Sequence, residues 1–253
     1  MSTTPVQSPS AAAAPARAPR VLVVMPAHDE EASLPRTLAR VRAALPEADV
    51  VVINDDSSDA TGAVARAHGA DVVDLPCNLG YGGAVQTGFK YALAGGYDVV
   101  LQIDADGQHD PACAHALLAP VLAGEVDVAI GSRFLGEARY PIPGLRRWGM
   151  RVFAAIVSFV TRRTFSDPTS GYQALGRRVV EFFARDNYPS DFPDADTIIL
   201  LVLVGFRVRE VPVTMEARTA GTSMHSNFKA LYYVGKMMLS ILMVLLRQQR
   251  LRV

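Results

Sequence analysis

Two carboxylates at the end of an apolar run are the residues best placed to do chemistry. Residues 99–103 are apolar apart from Gln102, and Asp104 and Asp106 follow. Such a run is typical of a strand buried on both faces, and ligands bind beyond the carboxyl ends of these strands. Extended backbone would point both carboxylates the same way, where they repel unless a cation lies between them. We therefore predict a Mg²⁺ or Mn²⁺ site that also holds a phosphate ester. The alternative is an ordinary polar turn.

Apolar runs alternate with helical patterns through the first half of the chain. Strands are predicted at 21–25, 50–53, 72–75, 99–103 and 126–130, and helices at 34–45, 59–68, 84–94 and 111–123. Valine-rich strands that alternate with helices indicate a parallel sheet covered on both faces, so the predicted fold class is α/β. Residues 78–84 hold three glycines before a helix, which either present backbone N–H groups to a phosphate or allow tight helix packing.

The regular alternation stops after Arg133. Residues 135–147 are rich in glycine and proline, which predicts a long irregular loop of the kind that forms lids or binding loops. A second polar segment follows at 166–173. Helices are predicted at 152–160 and 197–204, and a strand at 208–213.

Composition limits the class of protein. Lys+Arg and Asp+Glu both number 25, so the chain lacks the basic field that nucleic-acid binding requires. Its two cysteines, Cys77 and Cys113, lack metal-ligand spacing, and the expected compartment is the cytoplasm. Residues 1–19 are too poor in large apolar groups to fold and are predicted to be disordered.

An ordered set of motifs resembles the family 2 glycosyltransferases, and within them the dolichol-phosphate mannose synthase group. The motifs lie at 24–31, 54–59, 78–80 and 104–109, with further likeness at 131–134, 167–172 and 218–223. The resemblance implies a GT-A fold over residues 20–225, a nucleotide-diphosphate sugar donor, a divalent metal and inversion at the anomeric carbon. The implied acceptor is a polyprenyl phosphate. The alternative is a hydroxyl of a growing cell-surface glycan.

The resemblance also implies site residues. Those placed with the donor are Pro26, Asp29, Glu30, Asp55, Asp104, Gln108 and Ser223, and those placed on the metal are Asp104, Asp106 and Gln108. Asp55 has an open alternative as a helix cap. The chain departs from the group at Met224, where a lysine is common.

The predicted reaction needs cations and, for one acceptor, a base. Arg133, Arg147 and Arg218 are the candidates to neutralise the leaving diphosphate, because guanidinium binds phosphate in a bidentate manner. The resemblance implies Arg147 and Arg218, and Arg146 is the open alternative to Arg147. A polyprenyl phosphate is anionic near neutrality and needs no base. A sugar hydroxyl needs one, and Asp194 or Asp196 are the candidates, with service at a helix N-terminus as the alternative.

An apolar segment near the C-terminus suggests contact with a membrane. Residues 231–246 are interrupted by Lys236 and followed by three arginines, and they fall short of the roughly 20 apolar residues of a membrane span. We predict that 226–253 forms a helix at the cytoplasmic membrane surface, or one that docks on a small integral membrane protein. The alternative is a final helix packed on the core.

Overall fold

A seven-stranded, mostly parallel sheet runs through the described part of the protein. The computed structural model describes residues 17–135, 144–185, 188–189, 193–216 and 235–246. The strands are β1 (Val21–Ala27), β2 (Asp49–Asn54), β3 (Asp71–Asp74), β4 (Val99–Gln102), β5 (Val128–Ser132), β6 (Gln173–Gly176) and β7 (Val208–Pro212). Their order across the sheet is β3-β2-β1-β4-β6-β5-β7. β6 is antiparallel to both of its neighbours, and all other pairs are parallel.

Helices cover both faces of this sheet. They are α1 (Leu34–Ala44), α2 (Thr61–Ala67), α3 (Gly80–Ala94), α4 (Ala114–Leu122), α5 (Gly144–Thr161), α6 (Arg177–Phe183), α7 (Ala195–Val204) and α8 (235–246). β1 shows why two cores form. Leu22 and Val24 pack with α3, α5, α6 and α7, whereas Val23 and Met25 pack with α1, α2 and α4. The α/β class with a mostly parallel sheet is therefore confirmed.

The structure differs from the sequence prediction in three places. The polar segment 166–173 leads into β6 and then α6, neither of which the pattern predicted. The loop expected over 135–147 ends earlier, because α5 begins at Gly144. Residues 17–19 are part of the segment predicted to be disordered, and there the Arg17 guanidinium pairs with Asp98 at 3.0 Å on the surface. Residues 1–16 and 136–143 lie outside the described ranges.

The C-terminal segment is described only over α8. Met237 and Ile241 of this helix are buried in the core, and the Ser240 hydroxyl donates to Asp196 of α7. Five large apolar side chains on its other side are exposed: Met238, Leu239, Leu242, Met243 and Leu246. Among the helices of the described ranges, none has the length and apolar character that crossing a bilayer requires.

Candidate active site

The predicted carboxylates lie just past the end of β4, at the carboxyl edge of the parallel strands. Here the chain turns at Gly107, whose φ of +76° favours glycine. The Gln108 N–H donates to Asp106 Oδ1 at 2.9 Å, and the Gln108 carbonyl accepts from the Glu216 N–H at 2.8 Å. The loop after β4 is thus held by one hydrogen bond within itself and by one from the segment after β7.

Two part-buried hydrogen bonds of the Tyr81 hydroxyl, here called the Tyr81 relay, orient Asp104. The Tyr81 hydroxyl, from the first turn of α3, donates to Asp104 Oδ1 at 2.7 Å and accepts from Gln102 Nε2 at 2.9 Å. Burial and the neighbouring carboxylate raise the pKa of Tyr81, so it stays a protonated donor. A Cβ on Gly171 would lie 2.6 Å from this hydroxyl, so only glycine leaves the relay undisturbed.

His109 supports the same carboxylate from the other side. The backbone N–H of Asp104 donates to His109 Nδ1 at 3.1 Å, which places the ring hydrogen on Nε2, 3.6 Å from Asp104 Oδ2. The ring stacks on Tyr172 with centroids 4.7 Å apart. Burial lowers the pKa of His109 to about 4, so it is neutral near pH 7.

The residues predicted for the nucleotide lie at and just beyond the carboxyl ends of the adjoining strands β1 and β2. Pro26 is buried in β1 opposite Ile53. Asp29 has a φ of +53° and accepts from the Ser58 N–H at 2.7 Å, which lowers the pKa of its carboxyl.

Glu30 and Asp55, which follow β1 and β2, also accept hydrogen bonds from neighbouring segments. The Ser33 hydroxyl donates to the buried Glu30 carboxylate at 2.5 Å. The carboxylate of Asp55 accepts from the Leu79 N–H at 2.7 Å, at the start of α3. Asp55 is therefore a buried link between β2 and α3, and the structure brings Asp29, Glu30 and Asp55 to the same edge as Asp104 because β1, β2 and β4 are neighbours.

Arg133, a predicted candidate to neutralise the diphosphate, is buried and paired with a carboxylate. Its guanidinium is 8% exposed and makes two bonds of 2.6 Å to the fully buried Asp167, with a third to Thr169 at 2.9 Å. Such a bidentate, desolvated pair fixes geometry and is costly to break. The geometry favours a scaffolding role, and the predicted contact with phosphate stays a prediction.

The two carboxylates predicted as bases flank the start of α7. Asp196 is 1% exposed, and its oxygens accept from the Thr197 N–H at 2.8 Å, the Asp194 N–H at 3.2 Å and the Ser240 hydroxyl. Burial raises the pKa of Asp196. Burial raises the pKa of Tyr188, and the charges of Asp194, Asp196 and Asp104 raise it further.

The remaining predicted cations are only partly described. Arg147 is exposed on the first turn of α5, and Arg218 and Ser223 lie outside the described ranges. Glu216, two residues before Arg218, accepts two bonds from Arg40, at 3.0 and 3.1 Å. Together with the bond to Gln108, these contacts hold Glu216 beside the loop that carries Asp104 and Asp106.

The donor set fits a hard divalent ion. Within the described ranges no three His, Cys, Asp or Glu side chains cluster to hold a metal by themselves. Asp104, Asp106 and Gln108 offer two carboxylates and one amide at the sheet edge. Mg²⁺ or Mn²⁺ in such a site completes its coordination with water and substrate phosphates.

Sequence reasoning gave no role to several residues that hold this site, His109 among them. Tyr81 lies between Gly80 and Gly82, and the sequence pattern of this segment indicated a role only for the glycines. Gly171 and Tyr172 belong to a motif that was used for the resemblance but given no role. A usable signal was the position of Tyr81 in the first turn of a helix beside the strand that carries Asp104.

Comparison with known proteins agrees with this geometry. Residues 22–183 match the family model described as glycosyl transferase family 2. An undecaprenyl-phosphate mannosyltransferase of Micrococcus luteus is 34% identical over 216 residues, covering 81% of this chain and 86% of that protein. A polyprenol monophosphomannose synthase of Mycolicibacterium smegmatis is 35% identical over 227 residues, covering 81% and 80%.

Solved structures share the fold. A glucosyl-3-phosphoglycerate synthase from Mycobacterium tuberculosis, in complex with Mn²⁺, UDP and phosphoglyceric acid, superposes with a TM-score of 0.63 at 20% identity, covering 91% of this chain and 78% of that one. The same enzyme has been solved with Mg²⁺ and UDP. The fold is thus GT-A-like, as expected. The matched family model and the two relatives above 30% identity show that this chain belongs to glycosyl transferase family 2 and is a glycosyltransferase.

Proposed function

We propose that this enzyme moves a sugar from a nucleotide diphosphate to a polyprenyl phosphate, with a divalent metal and with inversion at the anomeric carbon. The observation that carries the proposal is the pair Asp104 and Asp106 at the carboxyl edge, with Asp104 oriented by Tyr81. The names of the two bacterial relatives support the lipid-phosphate acceptor.

The proposed roles of the site residues follow from their positions along the sheet edge. Asp29, Glu30 and Asp55 would receive the base and ribose, whereas Asp104, Asp106 and Gln108 would hold the ion and with it the donor phosphates. When bound, the ion offsets the charge that develops on the leaving diphosphate. Arg147 and Arg218 would add guanidinium contacts to the phosphates, and Arg133 would hold the loop after β5 through Asp167.

The surroundings of Asp196 favour the phosphate acceptor. A general base must reach the hydroxyl that it deprotonates, but Asp196 is buried and already accepts bonds from α7 and α8. A polyprenyl phosphate carries its own charge and needs no such base. For a glycan hydroxyl, Asp194 is the remaining candidate base.

The test is a transfer assay with purified protein. The substrates are a panel of nucleotide sugars, a short polyprenyl phosphate in detergent, and Mn²⁺ or Mg²⁺, and the product is identified by mass. Asp106→Asn should fold but lose metal-dependent transfer, because an amide cannot balance a divalent charge. The matched control is Asp71→Asn, at the exposed start of β3, which should keep full activity. Full turnover by well-folded Asp106→Asn would refute the assignment.

The acceptor is decided by Asp194→Asn in the same assay. With a phosphate acceptor, turnover should fall only modestly. A loss on the order of 10²–10⁴-fold with unchanged donor affinity would instead indicate a hydroxyl acceptor and a glycan-extending enzyme.

The acceptor class implies work at a membrane surface. Polyprenyl carriers reside in bilayers, and α8 supports peripheral contact by exposing five large apolar side chains beside the core. We do not propose an integral membrane partner, because no contact of the described residues calls for one.

A further inference from the structure

Helix α5 carries apolar side chains on two opposite sides. One side packs into the core through Met150, Phe153, Ala154 and Val157. On the other side Trp148, Val152 and Phe159 are 65%, 37% and 86% exposed. Their spacings of four and seven residues place them on one line along the helix. We refer to these three residues as the α5 stripe.

The α5 stripe is larger than the scattered apolar exposure of ordinary surfaces. Single exposed apolar residues need no explanation, but a contiguous apolar stripe marks a contact surface. Helix α8 lies in the same layer, because α5 and α8 share one core cluster with α7 and Ser240 bonds to Asp196. It also exposes leucines and methionines on its outer side. Two helices of one layer therefore both present apolar groups to the outside.

The charge around the α5 stripe identifies its partner. Residues 144–163 contain five arginines and no Asp or Glu, in a chain whose charges balance at 25 and 25. Arg147 and Arg151 flank Trp148 and are exposed, as are Arg162 and Arg163 beyond Phe159. A helix surface that combines aromatic residues with arginines fits anionic lipid headgroups. A second copy of the chain fits poorly, because a two-fold contact would set these arginines against each other.

We propose that the α5 stripe is a membrane-contact surface, with Trp148, Val152 and Phe159 entering the headgroup region of an anionic bilayer. The inference deepens the proposed function, since it holds the helix that carries Arg147 at the depth of a lipid phosphate. The inference is tested by vesicle binding and not by sugar transfer, so a failed transfer assay and a failed binding experiment are separate results.

Trp148 is the only tryptophan of the chain, so tryptophan emission, excited selectively over the tyrosines, reports on the α5 stripe alone. The full-length protein is titrated with vesicles of equal parts phosphatidylglycerol and phosphatidylcholine, and separately with phosphatidylcholine vesicles. We expect a blue shift with the anionic vesicles, quenching by brominated lipid, and weakening of both signals in high salt. Sedimentation of the protein with the anionic vesicles while the emission stays unchanged would overturn the inference, because another surface would then be the contact.

Variants test the apolar and the basic parts separately. Phe159→Ser should weaken vesicle binding roughly tenfold, and Arg151→Glu should weaken it on anionic vesicles specifically. The matched control is Leu122→Ser on α4, where a leucine is 43% exposed on the opposite face of the sheet, and it should bind like the wild type. Thermal unfolding checks that each variant is folded.

Two results would overturn the inference here. One is wild-type vesicle binding by a folded Phe159→Ser protein. The other is a wild-type dimer in sedimentation equilibrium that Phe159→Ser converts to a monomer, because a second copy would then cover the α5 stripe.

Discussion

Replacing Tyr81 with phenylalanine removes one hydroxyl from the centre of the candidate site and leaves the ring in place. That hydroxyl donates to Asp104 Oδ1 at 2.7 Å and accepts from Gln102 Nε2 at 2.9 Å. Gln102 Oε1 is already buried without a hydrogen-bond partner among the described residues. The substitution would therefore remove the hydroxyl that accepts from Gln102 Nε2, and with it one of the contacts that orient the Asp104 carboxylate.

The structure sets the size of the effect. A hydrogen bond to a charged group contributes about 1.5–3 kcal/mol, and a buried donor left unsatisfied costs about 1–3 kcal/mol. Because the two effects overlap at one hydroxyl, we expect the free energy of unfolding to fall by about 2–3 kcal/mol. If the loss of this one hydrogen bond costs the Asp104 carboxylate about 1.4 kcal/mol of preorganisation, Mn²⁺ affinity falls about tenfold.

Two measurements on Tyr81→Phe check this reasoning. Urea unfolding gives the stability, and electron paramagnetic resonance of free Mn²⁺ gives the metal affinity in the presence of a nucleoside diphosphate. The matched control is Tyr91→Phe, whose hydroxyl makes a bond of the same length, 2.7 Å, to Asp71 at an exposed position. The control should keep its Mn²⁺ affinity. Equal Mn²⁺ affinity in wild type and Tyr81→Phe would refute the positioning role, whatever the stability.

Three further predictions concern the surroundings of the site. Gly171→Ala should lower the free energy of unfolding by about 1–3 kcal/mol, because its Cβ would meet the relay hydroxyl at 2.6 Å, whereas Gly149→Ala, with open space around it in α5, should not destabilise. Arg40→Ala and Glu216→Gln should couple by about 0.5–3 kcal/mol in a double-mutant cycle, and additive effects would contradict the bidentate pair. Burial raises the folded-state pKa of Asp196, so this group's contribution to the free energy of unfolding should rise as pH falls through that pKa. Asp196→Asn should remove this pH dependence in urea unfolding, and matching pH profiles would contradict it.

The parts of the fold that follow from short-range patterns were predictable. Five apolar runs and four helical patterns before residue 131 correspond to strands and helices of the structure, because each element shows its pattern within its own sequence. The carboxylates at the end of β4 were predictable for the same reason. A strand pattern places its last residues at the sheet edge.

The contacts that fix the side chains were not predictable. Arg133 and Asp167 each appear in sequence as a charged loop residue, and their pairing spans 34 residues. The Tyr81 relay joins a helix to a strand 21 and 23 residues away. Hydrogen bonds between residues so far apart leave no pattern in the local sequence. The sequence therefore indicated which residues lie at the sheet edge, but not which of them hydrogen-bond to one another.

The antiparallel direction of β6 explains why Gly171 and Tyr172 lie at the site. It pairs antiparallel with β4, and Gln173 at its start lies opposite Gln102 at the end of β4. An antiparallel strand starts where its neighbour ends, so the residues just before Gln173 must lie at the carboxyl edge. Gly171 therefore reaches the Tyr81 hydroxyl, and Tyr172 stacks on His109. A parallel strand at this place in the sheet would have put the same residues at the opposite edge, so the reversed direction of one four-residue strand completes the site.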